Sequence, residues 1–519
     1  MNDYFLSIDC GTQSLRAIVF DCKGKIIDKQ QIYYEPYFSI KPGYAEQYAE
    51  KYIESLCYAV KELKVRIPKI IENIKSVAIT TLRDTMVQIN KCGEVIRPII
   101  LWLDQRKADI FYKPNFFWDL IFRAIGIRNT LDKMQKNGKS NWLRQFEKDN
   151  WEKTYKYLMV SGYLNYFLTG EFVDSIASQI GHIPFDYKKQ DWANVSDPLN
   201  FTSKLYPIEK EKLAELVKPG EIIGKVTYKA AELTGLKVGT PVIAAGSDKG
   251  CETIGMGVID GNKASLSFGT TATIQTTLPK YVEPITFMPA YPAVIPNSWN
   301  PEIEIYRGYW MIRWFKTEFA HKEDLEAQEK GIVVEEILNS LLEKSPAGSF
   351  GLVVQPYWTP GLGDKNAKGA MIGFGDIHKK EHIYRAVIEG LAYGLKDGKE
   401  KLEKKTNLRF KQLCVSGGAS QSNLICQITA DVFNMPLYRG QTFETSGLGA
   451  AIISAFGTGV YQNINDAIDN MVHYKDVFEP NLENVAIYKE LYENIYLKIY
   501  KTLEPLYVKI RKLTNYPEL

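Results

Sequence analysis

Residues Leu6–Asp21 read L-S-I-D-C-G-T-Q-S-L-R-A-I-V-F-D. An apolar run ending at Ile8 delivers Asp9 to a Gly-Thr-Gln-Ser turn, and a second apolar run from Ala17 to Phe20 leaves the turn. This arrangement predicts a β-hairpin whose tip presents backbone N–H groups and hydroxyls beside one carboxylate. Such a tip suits a phosphate chain carrying a metal ion, because amides and hydroxyls can surround phosphate oxygens while the carboxylate holds the cation. An ordinary hairpin with a polar turn explains this segment equally well.

A second copy of the pattern favours the nucleotide interpretation. Residues Ala264–Thr277 read A-S-L-S-F-G-T-T-A-T-I-Q-T-T, which is again a strand, a Gly-Thr-Thr turn and a strand. Two such hairpins, one in each half of the chain, predict a duplicated fold that holds a nucleotide between its halves.

The overall composition predicts a globular chain with two domains. The 519 residues exceed what one hydrophobic core normally supports. The net charge is only +3, without a basic block, so nucleic acid is not an implied partner. The N-terminus lacks the features of a signal peptide, and the longest uncharged apolar stretch, Gly447–Tyr461, is too short and glycine-rich to span a membrane. The seven cysteines form no C-x-x-C pair, which predicts reduced thiols in the cytoplasm.

Strand-like and helical stretches alternate along the chain, which predicts an α/β fold. The turn-rich segment Gly257–Lys263 marks the predicted domain boundary, giving an N-terminal domain at 1–258 and a C-terminal domain at 259–519. Long helices are expected at Tyr48–Leu63, Asn150–Phe167 and Lys379–Lys404.

Asp248 is the strongest candidate for a catalytic group. It follows the apolar run Pro241–Ala245 and lies between Gly246 and Gly250 near the predicted domain junction. A carboxylate at such a position can accept the proton of an attacking hydroxyl group. Aspartate is also a common helix N-cap, and the two roles are compatible.

Two other segments of the first half can bind a polyhydroxylated ligand. Thr80–Thr85 contributes Arg83 and Asp84, while Trp102–Arg106 contributes Asp104 and an apolar wall at Trp102. Each of these charged residues is explained equally well by a surface ion pair.

The glycine pair in Gly417–Ala419 follows the predicted strand Gln412–Val415. It allows the backbone to approach a flat ligand such as adenine closely, although many loops contain such a pair. The P-loop and dinucleotide-binding signatures are absent, which disfavours those two classes of nucleotide-binding protein.

These motifs resemble those of the FGGY carbohydrate kinase family, which includes glycerol kinases, xylulokinases, ribulokinases and autoinducer-2 kinases. The resemblance covers nearly the whole chain, and the motifs occur in the family's order. The matching segments are Asp9–Arg16, Pro42–Gln47, Trp102–Arg106, Leu168–Ser178, Gly246–Asp248, Gly269–Thr271, Gly369–Gly373, Ala386–Glu389, Gly417–Ala419 and Gly449–Ala451.

The resemblance implies two actin-like, ribonuclease-H-type domains that close on ATP and Mg²⁺, with a sugar or polyol in the cleft between them. It implies Asp248 as the general base, and Asp9 and Asp248 as the residues that hold Mg²⁺. The nucleotide-binding residues it implies are Gly11, Thr12, Gln13, Ser14, Arg16, Gly269, Thr270, Thr271, Gly417, Gly418, Ala419, Ser422 and Asn423. The implied substrate-binding residues are Arg83, Asp84, Trp102, Asp104, Asp248 and Lys249.

The resemblance also bears on the substrate. Arg83-Asp84 stands where glycerol kinases carry Arg-Glu and xylulokinases carry Met-His, and the shorter carboxylate leaves room for a substrate larger than glycerol. A keto-sugar of the xylulose or ribulose type is therefore expected first, with glycerol kinase and autoinducer-2 kinase activities as alternatives.

Two departures from the family pattern keep a non-catalytic sugar-sensing module open as an alternative. Ser422 replaces an asparagine beside adenosine, and a nucleotide-contacting glycine is displaced or lost around Arg307–Trp314. The oligomeric state is also open, with a homodimer among the options, because the tyrosine-rich tail Val485–Leu519 either docks a partner or covers the core.

Overall fold

The computed structural model describes residues 3–194, 196–197, 200–286, 288–361 and 366–514. A six-stranded mixed sheet forms the centre of each half of the chain. The first sheet consists of β1 (Tyr4–Cys10), β2 (Ser14–Asp21), β3 (Ile26–Tyr33), β4 (Ile74–Thr81), β5 (Ile222–Lys225) and β6 (Pro241–Ile243). The second consists of β7 (Lys263–Phe268), β8 (Ala272–Gln275), β9 (Glu302–Ile305), β10 (Gln412–Ser416), β11 (Leu437–Gly440) and β12 (Tyr474–Phe478).

The two sheets share one topology. Their strand orders are β3-β2-β1-β4-β6-β5 and β9-β8-β7-β10-β11-β12. In each, three strands form an antiparallel meander, two strands then continue in parallel, and an antiparallel strand closes the far edge. This repetition confirms the duplicated α/β fold that the two hairpins predict.

Helices cover the sheets, and short strands form additional small sheets. In the first half the helices are α1 (Glu50–Arg66), α2 (Pro68–Ile71), α3 (Phe116–Ala124), α4 (Arg128–Asn137), α5 (Lys139–Phe146), α6 (Lys148–Lys153), α7 (Val160–Thr169), α8 (Thr202–Leu205), α9 (Tyr228–Thr234) and α10 (Asp248–Gly255). In the second half they are α11 (Trp310–Phe319), α12 (His321–Lys330), α13 (Val334–Glu343), α14 (Lys380–Thr406), α15 (Asn423–Phe433), α16 (Thr445–Gly457), α17 (Ile464–Met471), α18 (Leu482–Leu491) and α19 (Leu497–Thr514). Among the described residues, no helix is long and apolar enough to cross a lipid bilayer.

The predicted helix at Asn150–Phe167 is only partly correct. Helix α6 ends at Lys153, and Lys156–Met159 forms a strand that pairs with Met86–Ile89 before α7 begins. Tyr157, Leu158 and Met159 are buried in this pairing. Packing against a distant strand therefore overrides the local helical pattern, whereas α1 and α14 lie close to their predicted positions.

Helices α10 and α16 join the two halves. Helix α16 belongs to the second half of the chain, yet it packs against β1 and β4 of the first sheet as well as against α10. Gly449 makes the close crossing possible, because a Cβ at this position would lie 1.9 Å from the carbonyl oxygen of Cys251. The helix that begins at Asp248 is thus fixed against both halves.

The tail covers the core of the second half. Tyr488, Tyr492 and Tyr496 are buried, and the rings of Tyr393 and Tyr492 lie 5.9 Å apart between centroids. For the described part of the tail, these contacts favour the interpretation that it covers the core over the interpretation that it docks a partner. Residues 515–519 of the tail lie outside the described residues.

Candidate active site

The first hairpin forms the predicted tight turn between β1 and β2. The Gly11 N–H donates to the Ser14 carbonyl oxygen at 3.0 Å, and the Tyr34 hydroxyl donates to the Gly11 carbonyl oxygen at 2.7 Å. Gln13 is exposed at the tip. The Trp102 indole N–H donates to the Thr12 hydroxyl oxygen at 3.1 Å, so this residue, predicted as an apolar wall, also holds the hairpin tip.

Asp9 lies at the end of β1, opposite Arg16 on β2. The Arg16 guanidinium donates to Asp9 Oδ2 at 3.0 Å and also lies 3.5 Å from Glu444. Burial raises the pKa of Asp9 to about 6; Arg16 lowers it, while the negative charges of Asp248 and Glu444 raise it further. The carboxyl group therefore lies where an additional positive charge would be favourable.

The second hairpin joins β7 to β8. Thr270 is exposed at its tip, while Gly269 and Thr271 are partly buried. The Tyr309 N–H donates to the Gly269 carbonyl oxygen at 3.1 Å, and the Thr271 hydroxyl donates to the Tyr306 carbonyl oxygen at 3.1 Å. The segment before α11 thus braces the tip of this hairpin.

The segment after β10 contains two adjacent glycines with different surroundings. Gly417 has a φ of +90°, and a Cβ there would lie 2.8 Å from the backbone of Phe268. Gly418 is exposed, and no atom lies within 4 Å of the position of its missing Cβ. The fold therefore requires the first glycine, and the second, beside the partly buried Ala419, leaves an open surface that a ligand can approach.

Two further residues implied to bind the nucleotide, Ser422 and Asn423, form hydrogen bonds with other side chains of the protein. Ser422 caps α15 by accepting the Ile425 N–H at 3.3 Å, and its hydroxyl donates to Asn339 Oδ1 at 2.6 Å. Asn423 accepts from Arg439 at 2.8 Å. Asn339 comes from α13 and belongs to no motif, so the sequence contains no local signal that brings it to this place.

Asp248 is the first residue of α10, and Ser247 is the N-cap, accepting the Gly250 N–H at 3.3 Å. The alternative role of Asp248 as the cap is therefore wrong. Its side chain is 36% exposed, and its Oδ1 accepts the Lys249 N–H at 2.8 Å and lies 3.8 Å from Arg83 Nε. Burial raises the pKa of Asp248, whereas Arg83 and Lys249 lower it. A carboxylate with a raised pKa is a stronger proton acceptor.

Arg83 connects the two halves beside Asp248. Its guanidinium donates to both oxygens of Glu302, at 3.1 and 3.2 Å, and to the Ser247 hydroxyl oxygen at 3.3 Å. Glu302 lies on β9, and its side chain is only 2% exposed. A guanidinium carries more N–H donors than these contacts use, so Arg83 can still bind a hydroxyl group. Glu302 was not among the residues predicted from the sequence.

Asp84 gathers a second polar cluster next to Arg83. It accepts from Lys139 Nζ at 2.6 Å, from the His182 N–H at 2.8 Å, and lies 2.9 Å from the His182 ring Nδ1. Burial alone would raise the pKa of Asp84, but the electrostatic attraction and hydrogen bonds that it gains from His182 and Lys139 hold this pKa below its usual range. Neither Lys139 nor His182 was predicted from the sequence, because each comes from a different segment of the chain.

Asp104 does not line this site, which corrects its prediction as a substrate-binding residue. Its side chain is fully buried, accepting from the Ala45 N–H at 2.6 Å and from Arg106 Nε at 2.8 Å. Arg106 also pairs with Glu46 at 2.7 Å. Because its oxygens are committed to this network, Asp104 supports the loop that carries Trp102.

Comparison with known proteins identifies the family of the chain. The N-terminal domain model of the FGGY family of carbohydrate kinases matches residues 4–255, and the C-terminal domain model of that family matches residues 264–458. The chain belongs to the FGGY family of carbohydrate kinases. Kinases of this family are phosphotransferases that act on hydroxyl groups and use ATP.

Relatives of this FGGY kinase cover it over nearly its full length. It is 29% identical to a xylulose kinase of Lactococcus lactis over 510 residues, which is 96% of either chain. It is 26% identical to an autoinducer-2 kinase of Klebsiella pneumoniae, over 94% of this chain and 92% of the relative. The crystal structure of a gluconate kinase from Lactobacillus acidophilus aligns with a TM-score of 0.81 at 20% identity, over 98% of this chain and 100% of the other, and supports the two-domain α/β fold.

The carboxylates of the FGGY kinase suit the expected Mg²⁺ only if the phosphates of a nucleotide supply further ligands to the ion. Among the described residues, no group of three His, Cys, Asp or Glu side chains could hold a metal ion. Mg²⁺ commonly binds one or two carboxylates together with substrate phosphates and water. The charge of Asp248 raises the pKa of Asp9, so a cation near both would relieve their repulsion. This pair therefore suits a cation that arrives with a nucleotide.

Proposed function

We propose that this FGGY kinase transfers the γ-phosphate of ATP to a hydroxyl group of an uncharged keto-sugar of the xylulose or ribulose type, with Asp248 as the general base. The observation that carries the proposal is the position of Asp248, which starts α10 beside the Arg83–Glu302 pair with a raised pKa. The polar cluster at Asp84 supplies further hydrogen-bonding groups for a polyhydroxylated substrate.

The charges of the site favour an uncharged substrate. The two cations closest to Asp84 each have a carboxylate partner: Arg83 pairs with Glu302, and Lys139 pairs with Asp84. A sugar acid would bring a negative charge that neither Arg83 nor Lys139 is free to neutralise. The similarity to xylulose kinases also supports an uncharged substrate. Glycerol and the substrate of autoinducer-2 kinases are the alternatives.

The proposed reaction is an in-line displacement. The substrate hydroxyl oxygen attacks the γ-phosphorus, its proton passes to Asp248, and the bond from that phosphorus to the β–γ bridging oxygen breaks with its electron pair leaving on ADP. The two hairpin tips, with Gly11–Ser14 and Gly269–Thr271, would contact the phosphates, and Gly418 would face the adenosine. Mg²⁺ held by Asp9 and Asp248 would neutralise phosphate charge. We place this reaction in the cytoplasm, in keeping with the unpaired cysteines.

The test is coupled ADP release with Mg²⁺ and ATP over a panel of polyols, ketopentoses, ketohexoses, deoxy sugars and sugar acids. Turnover on one ketopentose, reduced about 10²- to 10⁴-fold in Asp248→Asn with the ADP affinity measured without Mg²⁺ unchanged, is the expected result. The exposed Asp260→Asn serves as a matched control and should retain full turnover.

Other outcomes contradict the proposal in distinguishable ways. Best turnover on a sugar acid would overturn the assignment of an uncharged substrate. A sugar that raises the melting temperature without any turnover would favour the non-catalytic sensing module. Unchanged turnover in Asp248→Asn would remove Asp248 as the base.

A further inference from the structure

The ammonium group of Lys249 lies at the foot of the second hairpin. Its Nζ contacts the hydroxyl oxygen of Ser267, the residue before the end of β7, and Glu252 Oε2 at 2.9 Å. A Cβ placed on Gly269, in the turn itself, would lie 3.8 Å from this nitrogen. The side chain is 21% exposed, so the ammonium group is mostly enclosed but not sealed from the site.

The partner of Lys249 links this hairpin to the segment after β10. Glu252 accepts from the Ser416 hydroxyl through its other carboxylate oxygen, and its side chain is 7% exposed. Ser416 is the last residue of β10 and directly precedes Gly417 and Gly418. The Lys249–Glu252 pair therefore lies between two segments assigned to the nucleotide, on the same helix that begins with Asp248.

We propose that the Lys249 ammonium group contacts the phosphoryl group during its transfer and stabilises the negative charge on its oxygens, and that Glu252 holds the ammonium group in position. This inference rests on the proposed ATP-dependent transfer, and it reassigns Lys249 from the sugar to the phosphate. Lysine supplies charge only: the hydroxyl proton goes to Asp248, and the electron pair of the broken phosphorus–oxygen bond leaves on ADP.

The chemistry of phosphoryl transfer supports this role. The transferred group carries charge on its equatorial oxygens, and catalysis depends on positioning it and neutralising that charge. A preorganised cation in a site that excludes water is worth more than the same cation in solvent. Burial alone would lower the pKa of Lys249, but Glu252, Asp248 and Glu302 raise it, so the group stays protonated at neutral pH. Arg83, Asp84 and their partners remain available for the sugar.

The experiment compares Lys249→Met, Lys249→Arg and the double variant Lys249→Met with Glu252→Gln, which removes the pair without leaving a lone buried carboxylate. Three quantities are measured: kcat, the KM for the sugar, and the ratio of the dissociation constants for the ATP analogue adenylyl-imidodiphosphate and for ADP. Lys64→Met is the matched control, because Lys64 donates to the Gly235 carbonyl oxygen at 2.9 Å and, within the part of the chain that the structure describes, forms no ion pair.

We expect kcat to fall about 10²- to 10³-fold in both methionine variants, with little change in the KM for the sugar. The analogue should lose affinity relative to ADP, because only the analogue carries a third phosphate-like group. Lys249→Arg should recover part of kcat, since it keeps the charge, and Lys64→Met should match the wild type.

An increase in the KM for the sugar, with an unchanged kcat and an unchanged ratio of nucleotide affinities, would overturn the proposal and return Lys249 to the sugar. Failure of the proposed function is visible separately, as absence of turnover with every sugar in the wild-type protein. The ratio of nucleotide affinities would still decide whether Lys249 contacts the third phosphate in that case.

Discussion

Gly417 and Gly418 are neighbours in one motif but have different roles. The first adopts a φ of +90° against the backbone of Phe268, and the second faces open space. A local sequence pattern contains both glycines without indicating which one the fold needs. The surroundings of each missing Cβ separate a folding requirement from a ligand contact.

Alanine substitutions should therefore act differently at these two positions. Gly417→Ala is expected to destabilise the protein by about 1–3 kcal/mol, because alanine is strained at this backbone conformation. Gly418→Ala should leave the melting temperature unchanged and weaken ADP binding about tenfold, or about 1.4 kcal/mol. Thermal unfolding and ADP titration measure the two effects. Equal losses of stability, or undiminished ADP affinity in Gly418→Ala, would contradict the assignment of Gly418 to the nucleotide.

Asp9 makes the metal-dependent part of nucleotide binding sensitive to pH. Burial raises its pKa from the ordinary value of 3.8 to about 6, so in the ligand-free protein the carboxyl group is protonated below that pH. The gain in ADP affinity upon adding Mg²⁺ should therefore shrink as the pH falls below about 6. Calorimetric ADP titrations with and without Mg²⁺, from pH 5 to about 8, measure this gain.

Asp9→Asn should abolish the gain at every pH, and Asp260→Asn should retain it. A gain that stays constant across pH 5 to about 8 would count against Asp9 as a holder of the cation. The same shift affects stability: the folded state binds this proton more tightly than the unfolded chain, so Asp9 lowers the stability of the ligand-free protein as pH rises from 3.8 to about 6.

At the scale of elements, the matching segment Ala386–Glu389 holds helices and a loop together. Glu389 lies within α14 and is buried. It accepts from the Gly348 N–H at 3.0 Å, the Ser349 hydroxyl at 3.1 Å, Arg385 Nε at 2.8 Å and the Tyr488 hydroxyl at 2.8 Å. One carboxylate thus joins α14 to the loop after α13 and to the tail helix α18.

Glu389→Gln should lower the free energy of unfolding by about 3–5 kcal/mol, because it leaves the buried charge of Arg385 without its carboxylate. Urea denaturation measures this change, and ADP affinity of the folded protein should remain that of the wild type. The control is Glu326→Gln, which removes an exposed pair with Lys330 on α12 and should unfold at nearly the wild-type urea concentration. Similar stability of the two variants would show that the Glu389 network contributes little.

At the scale of the molecule, charges of the first half meet carboxylates of the second across the cleft. Arg83 reaches Glu302, and Lys29 reaches Glu444 at 2.6 Å. Glu302 offsets part of the positive charge of Arg83, and Arg83 Nε lies 3.8 Å from Asp248 Oδ1. The second half therefore influences the base that the first half contributes.

Glu302→Gln should leave the charge of Arg83 to act on Asp248 alone and lower the pKa of that carboxyl group. The acid limb of the pH profile of kcat/KM should consequently move to lower pH, by about 1 unit. The KM for the sugar should rise, because Arg83 loses the partner that orients it. Profiles recorded beside Glu326→Gln provide the comparison. A limb that stays in place or moves to higher pH would show that Arg83 does not couple Glu302 to Asp248.

Interactions between close neighbours in the chain were enough to predict much of this protein. Hairpins such as Asp9–Arg16 and Gly269–Thr271, and the strand before Asp248, depend on turn residues and on apolar runs that flank them. Their repetition in the two halves predicted the duplicated fold. The motifs Asp9–Arg16, Gly246–Asp248 and Gly417–Ala419 indicated the family, because each depends on residues within a few positions of one another.

The partners of these motifs required the folded arrangement. Lys139 and His182 meet Asp84, Glu302 meets Arg83, and Asn339 meets Ser422 across long separations in the chain. Residues that far apart leave no spacing pattern to detect, since the packing of sheets and helices alone brings them together. For the same reason, the burial of Asp104 and the strand at Lys156–Met159 could not be predicted: each depends on a contact whose free energy outweighs the local preference of its segment.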